Sequence, residues 1–332
     1  MSDKFSVLVK GVGYYLPKCV LTNDDLAKRV DTSDEWIRTR TGIVERHIAA
    51  GDESCSSLGF QAAEKALKDA NVQPSDIDLL IVATVTPDMP FPSTAAILQA
   101  KLGLRNVMSL DINAACSGFL YALEVAAHLL KSQYYRRALV IGSEKLSSIV
   151  NWQDRATCVL FGDGAGAFVL EKQEMSGVGI LDGILGADGS QPDMLCLPAG
   201  GSLRPTSQET LAENLHYISM NGKEVFKMAV RLMAKSVNDL LARNHLSKSD
   251  IACLIPHQAN LRIIQSLAQM LDLPMEHVFC NLDKTGNTSA ASIPIAFAQA
   301  KEQGHFKVGD YIVLVAFGGG LTWGATLIRY TE

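Results

Sequence analysis

A repeated heptapeptide frame constrains this chain more than any other feature. Ser75-Asp76-Ile77-Asp78-Leu79-Leu80-Ile81 and Ser249-Asp250-Ile251-Ala252-Cys253-Leu254-Ile255 share Ser-Asp-Ile, two variable positions and Leu-Ile. Each follows a stretch of helical periodicity and runs into a β-rich strand. In the first half the order continues through Cys116 and its helix, a strand over 138–142 and a strand pair around 158–170. The second half copies that order, with Asn287 before a helix over 290–303, a strand over 311–316 and a partner strand over 322–330. Helices alternating with buried apolar strands predict an α/β fold of mainly parallel sheets with helical layers on their faces. Duplication then stacks two αβ halves, residues 1–174 and 175–332, about a pseudo-twofold axis. Cys116 and Asn287 fall at equivalent strand-to-helix junctions in this reading, and the site lies where the halves meet.

Bulk properties exclude several classes of function. At 332 residues the chain is near twice the ~150-residue domain prior, and its 48% hydrophobic content supplies a sizeable core. A net charge of −5 argues against general affinity for nucleic acid. The seven cysteines are odd in number and scattered without a C-x-x-C pair, which fits a reducing cytoplasm and excludes a structural zinc site. Charges stand in Met1 to Lys10 where a signal peptide needs an apolar stretch, and no apolar run is long enough to insert in a membrane.

Cys116 carries the chemistry. It lies in Asp111-Ile112-Asn113-Ala114-Ala115-Cys116-Ser117-Gly118-Phe119, where a strand hands over to the apolar run Phe119 to Leu130. Unpaired amides and the positive end of the helix dipole at such a junction favour thiolate. Cys19, Cys55, Cys158, Cys196, Cys253 and Cys280 read instead as small hydrophobes. His257 closes the strand 252–256 in Pro256-His257-Gln258-Ala259-Asn260, and Asn287 follows Gly286. Taken alone, the first reads as a core histidine and the second as a helix cap; together with Cys116 they suggest acyl-group chemistry.

Two glycine stretches complete the motifs. Gly162-Asp163-Gly164-Ala165-Gly166-Ala167 matches G-x-G-x-x-A, but Phe168-Val169-Leu170 after it reads as strand, so a close-packed glycine hairpin is expected and a dinucleotide site is not. Phe317-Gly318-Gly319-Gly320 follows a strand directly, and its bare amides suit half of an oxyanion hole.

These segments, with Thr32-Ser33-Asp34-Glu35-Trp36-Ile37, Arg40-Thr41-Gly42-Ile43 and Gly286-Asn287-Thr288-Ser289-Ala290-Ala291-Ser292, occur in an order that resembles the β-ketoacyl-acyl-carrier-protein synthase III family of thiolase-fold condensing enzymes over essentially the whole chain. The resemblance implies duplicated thiolase-like halves in a layered αβαβα sandwich. It implies an acyltransferase that loads a short acyl-CoA primer onto Cys116 and condenses it with malonyl-acyl carrier protein. His257 and Asn287 are implied as donors to the decarboxylating thioester, with the backbone N–H groups of Cys116 and Gly319 as the oxyanion hole. No metal or cofactor is implied beyond the acyl-CoA substrate.

The same resemblance places Trp36 and Arg155 on the two faces of the CoA adenine, and Thr32, Arg40, Gly222, Asn260 and Arg262 along the nucleotide and pantetheine channel. Val85, Phe91, Leu146 and Phe161 bound the acyl pocket, with Phe91 reaching across a homodimer interface. Independently of the family, Lys223, Lys227, Arg231 and Lys235 recur every four residues after Gly222 and share one helical face. With Arg262 they form a basic patch suited to an acidic carrier protein. Two other readings remain: a same-fold enzyme with a different acceptor, and a noncatalytic acyl-CoA-binding protein.

Overall fold

The computed structural model describes residues 5–331 and contains two sheets of matching topology. The first runs, in spatial order, Ser6–Tyr15, Gly164–Gln173, Arg137–Glu144, Leu79–Ala83, Met108–Ile112; its first two pairings are antiparallel and its last two parallel. The second runs Gly179–Ala187, Thr322–Arg329, Tyr311–Gly318, Ile251–Pro256, again antiparallel, antiparallel, parallel. An isolated parallel bridge from Leu254 to Val278 stands where the first sheet has its fifth strand. Both sheets are therefore mixed rather than mainly parallel. Parallel pairing joins Leu79–Ala83 to Arg137–Glu144 and Met108–Ile112, and Ile251–Pro256 to Tyr311–Gly318, through helix-containing connections, while the antiparallel pairings lie toward the Ser6–Tyr15 and Gly179–Ala187 edges.

Five layers result. Helices Cys55–Ala70 and Thr94–Lys101 cover the outer face of the first sheet, and Gly222–Arg243 and Leu261–Met270 that of the second. Gly118–Leu130 and Ser292–Glu302 fill the middle. Strand alternation assigns the faces: Leu79, Ile81 and Ala83 point to the middle layer, and Leu80 and Val82 to the outer helices. Phe168 joins the central helices, with ring centroids 4.9 Å from Phe119 and 4.8 Å from Phe297. Cβ atoms built at Gly142 and Gly166 would lie 2.4 Å from Ala290 O and 2.7 Å from Ile295 N. Those glycines let the junction and helix of the second half sit directly on the first sheet.

Two local expectations change. The segment around Cys158 is a one-turn helix, Arg155–Cys158, capped by Asp154 Oδ1 on Ala156 N at 2.9 Å. Gly162 to Ala167 forms no hairpin; Gly164 opens a strand paired on both sides, which leaves no helix N-terminus for a pyrophosphate.

The register of the duplication also differs from expectation. Each central helix is preceded by one 3₁₀ turn, Ala115–Ser117 and Ser289–Ala291. Each turn opens on a left-handed residue, Ala115 at φ 46° and Ser289 at φ 48°. In both, the amide of that residue donates to an asparagine two positions back, Asn113 Oδ1 at 3.4 Å and Asn287 Oδ1 at 2.8 Å. The residue equivalent to Asn287 is therefore Asn113, and Cys116 matches Ala290.

Candidate active site

A cavity of about 760 Å³ is lined by Cys116 from the first half and by His257 and Asn287 from the second. Cys116 is nearly buried, at 9% exposure. Burial pushes its thiol up to about 12, against a smaller lowering by the Ser289 hydroxyl and its own backbone amide. The expected resting thiolate is thus replaced by a neutral thiol, because desolvation outweighs what a single 3₁₀ turn supplies.

His257 ends the strand Ile251–Pro256, and its amide donates to Val315 O at 2.8 Å. Its Nδ1 lies 2.6 Å from Ser292 Oγ, and burial pushes the imidazole down to about 4. The ring is neutral at pH 7. When the Ser292 hydroxyl is the donor to Nδ1, the imidazole proton sits on Nε2. Asn287 is fixed by its amide to Leu160 O at 2.8 Å and by Gly162 N to its own carbonyl at 3.0 Å. Its Oδ1 accepts from Ser289 N, so Nδ2 remains a donor.

The glycine loop packs on the cysteine junction. A Cβ at Gly318 would lie 2.6 Å from Cys116 N, so no larger residue fits there. Thr322 Oγ1 reaches Ala114 O at 2.8 Å and Gly319 O at 3.1 Å, while Ser117 Oγ donates to Thr322 O at 3.0 Å. These bonds hold the segments bearing the Cys116 and Gly319 amides against one another.

Trp36, Arg40, Gly222, Asn260, Arg262 and Phe161 line the same cavity, as do Lys223 and Lys227. Asn260 also caps the helix Leu261–Met270, with Oδ1 accepting from Arg262 N at 2.9 Å and Nδ2 donating to Arg40 O at 3.1 Å. Arg155 does not line the cavity. Its guanidinium stacks directly on Trp36, 4.8 Å from the ring centroid, as does that of Arg40. Arg155 also donates to Asp31 O at 2.8 Å. Thr32 lies outside the lining, with a buried hydroxyl that has no partner among the described residues. Val85 and Leu146 belong to the outer core beside Phe161 and do not reach the cavity. Phe91 is 85% exposed and does not line the cavity. Arg231 and Lys235 share the exposed helix face with Lys223 and Lys227 but stand beyond the cavity; Lys227 pairs with Glu224 at 2.9 Å and Lys235 with Asp239.

Three polar residues of the site escaped sequence reasoning. Ser292 and Ser289 lie inside an already noted motif, yet only the fold shows which groups they touch. Glu144 ends the strand Arg137–Glu144 and is fully buried. It accepts from Thr86 Oγ1 at 2.7 Å, Thr84 Oγ1 at 3.2 Å, Val85 N at 3.1 Å and Ala290 N at 3.4 Å. Among the described residues no group of three or more His, Cys, Asp or Glu is placed to hold a metal, and no helix is long and apolar enough to cross a membrane.

Comparison with known proteins gives consistent relatives. Residues 110–189 match the family model 3-oxoacyl-[acyl-carrier-protein (ACP)] synthase III, and residues 241–330 match its C-terminal model. A β-ketoacyl-[acyl-carrier-protein] synthase III of Caldanaerobacter subterraneus subsp. tengcongensis is 53% identical over 332 residues, covering all of both chains. The crystal structure of 3-oxoacyl-[acyl-carrier-protein] synthase III from Aquifex aeolicus VF5 superposes with a TM-score of 0.91 at 49% identity, covering 98% of this chain and 100% of that one. The priming β-ketosynthase of the R1128 polyketide biosynthetic pathway has the same TM-score at 33% identity, covering 100% and 98%. With a duplicated thiolase-like fold, a Cys/His/Asn cavity and relatives of this closeness along its full length, the chain belongs to the β-ketoacyl-acyl-carrier-protein synthase III family of condensing acyltransferases.

Proposed function

We propose that this enzyme initiates fatty-acid synthesis by condensing a short acyl-CoA with malonyl-acyl carrier protein, releasing CO₂ and CoA, through an acyl-Cys116 intermediate. The observation that carries this reading is the convergence of Cys116, His257 and Asn287 on one cavity. Cys116 Sγ attacks the acyl-CoA thioester, and CoA leaves as its thiol. Malonyl thioester then occupies the same cavity. As CO₂ departs, charge develops on the thioester oxygen, where Asn287 Nδ2 and neutral His257 Nε2–H serve as donors. The enolate carbon attacks the acyl-Cys116 carbonyl, and the amides of Cys116 and Gly319 receive the tetrahedral oxyanion. No redox, metal or prosthetic group enters these steps.

The cavity mouth supports the choice of substrates. Arg40, Lys223, Lys227 and Arg262 gather cationic charge around it despite the net charge of −5, which suits CoA phosphates and an acidic carrier protein. Exposed Phe91 is assigned to the partner subunit's acyl pocket in a homodimer, and the reading places the enzyme in the cytoplasm. The test is Asn287→Ala with acetyl-CoA and malonyl-carrier protein. Losing one donor of this kind slows condensation about 10²- to 10³-fold, so the Cys116 adduct forms and persists; an adduct that discharges at the wild-type rate removes Asn287 from the mechanism. The likeness to a polyketide-priming ketosynthase supports a second reading in which the product enters a secondary pathway, and acceptor preference between carrier proteins separates the two.

A further inference from the structure

We propose that Arg46 is a positioning residue for Asn287, its buried guanidinium fixing the backbone segment to which Asn287 is hydrogen-bonded. The inference rests on the reading of Asn287 as a donor in decarboxylation and adds the group that sets where that donor stands.

Arg46 lies on the short strand Glu45–Ile48, opposite Leu21 of Cys19–Thr22, and its side chain is completely buried. Burial pushes the guanidinium down to about 10, so it stays charged at neutral pH. Its partners are all neutral. Nη1 donates to Leu21 O at 3.1 Å and to Asn23 Oδ1 at 2.9 Å, Nη2 donates to Val159 O at 2.8 Å, and Nε has no partner among the described residues. The adjacent carboxylate, Glu45, pairs with Lys284 at 3.4 Å instead. Desolvating a charge without a counter-ion opposes folding, and apolar residues of similar volume commonly replace buried charges without loss of stability. What this position uses is therefore the planar fork, which spans two acceptors at once.

The fork ends on the segment that holds Asn287. Val159, whose carbonyl takes Nη2, precedes Leu160, whose carbonyl accepts Asn287 N at 2.8 Å; Gly162 N in turn donates to Asn287 O at 3.0 Å. Phe161 and Asn287 form an isolated parallel bridge, so the placement of Asn287 depends on what holds 159–162 from behind. The stem of Arg46 stands there: a Cβ at Gly162 would lie 3.1 Å from Arg46 Cβ, and one at Gly286 3.0 Å. Chain on either side of Arg46 is tied to both partners of the bridge, Val44 N donating to Asp283 O at 2.9 Å and Asp163 N to His47 O at 2.8 Å. At the other end of the fork, buried Asn23 is pinned through Nδ2 to Asp34 Oδ1 and Ile43 O, both at 2.8 Å. A shift of Val159 thus carries Leu160 and Asn287 with it, whereas no hydrogen bond runs from Arg46 to Cys116.

The experiment follows Cys116 acylation by acetyl-CoA and discharge of the adduct by malonyl-carrier protein as separate steps, by rapid-quench intact mass. It uses Arg46→Met, Arg46→Lys, Asn287→Ala and each Arg46 variant combined with Asn287→Ala. Misplacing a reacting group by about 1 Å slows a step on the order of 10²-fold, so Arg46→Met should slow discharge about ten- to a hundredfold. Acylation should keep the wild-type rate. Arg46→Lys, a point charge that cannot bridge Asn23 and Val159 together, should fall between. In the Asn287→Ala background neither change should slow discharge further, because the group being positioned is gone. A general loosening of the fold slows acylation as well, or multiplies with Asn287→Ala; either result overturns the inference, as does discharge at the wild-type rate in folded Arg46→Met. Where Arg46→Met does not fold, Arg46→Lys decides by the same comparison. Normal discharge in Asn287→Ala alone contradicts the reading of Asn287 as a donor and this inference with it.

Discussion

Ser292 Oγ lies 2.6 Å from His257 Nδ1, both residues buried, one on the first turn of a central helix and the other at the end of a strand. A hydroxyl donated to Nδ1 places the imidazole proton on Nε2, where a donor is wanted. Ser292→Ala releases that choice of tautomer. A lost neutral hydrogen bond of about 1 kcal/mol predicts a fall in condensation rate of about five- to tenfold, with adduct formation less affected. The ¹⁵N shifts of His257, moving from one tautomer to a mixture, check the cause.

Trp36 and Arg155 are stacked with no room for a third ring between them, at 4.8 Å from guanidinium to centroid. An adenine held by both must displace Arg155 from Trp36 and from Asp31 O. Trp36→Ala should raise the acyl-CoA KM about tenfold and leave kcat near wild type, since stacking of this kind contributes about 1 kcal/mol or more. Arg155→Ala should weaken binding less, because it removes both the contact and the obstruction. Titration calorimetry with CoA distinguishes them; Arg155→Ala weaker than Trp36→Ala contradicts this account.

Lys227 lines the cavity as well as the basic helix face, so its reversal disturbs CoA and carrier protein together. Arg231 shares that face but stands clear of the cavity. Arg231→Glu should raise the malonyl-carrier-protein KM several-fold, steepen no step with acyl-CoA, and weaken as salt is added. Equal effects on both substrates would remove the helix from carrier recognition.

Two buried groups oppose each other in the pH dependence of stability. His257, lowered from 6.5 to about 4, adds stability present above pH 6.5 and lost as pH falls through 4. Glu144, raised from 4.5 to about 7, adds stability present below pH 4.5 and lost as pH rises through 7. Each shift corresponds to an effect on the order of 3 kcal/mol, and the two nearly cancel across that range. Relative to wild type, His257→Gln should lose thermal stability as pH rises from 4.5 to 7, and Glu144→Gln should gain it. Melting curves across that range give both signs.

Much of this site was legible because Cys116, His257 and Asn287 stand on short polar islands in apolar surroundings, and because the Ser-Asp-Ile frames mark matching strands. The Asn113 and Asn287 equivalence was not legible. Spacing from the strand alone cannot reveal which residue takes the left-handed backbone, at Ala115 and Ser289. Glu144 reads in sequence as a charge at the end of a strand, and its burial depends on Thr84, Thr86 and Ala290 arriving from other segments. The thiol's resting state was misjudged for a related reason: the dipole is local and visible in sequence, whereas desolvation comes from the whole surrounding fold. The antiparallel edges came from Ser6–Tyr15 and Gly179–Ala187, where glycines interrupt any clean alternation.

The most direct test of the acyl-enzyme account is intact-mass spectrometry of wild type and Cys116→Ser mixed with a panel of acyl-CoAs, followed by malonyl-carrier protein. The account predicts a single acyl adduct that forms only when Cys116 is present and discharges to a β-ketoacyl-carrier product on addition of the second substrate. An adduct on another residue, or one that malonyl-carrier protein leaves untouched, would contradict it.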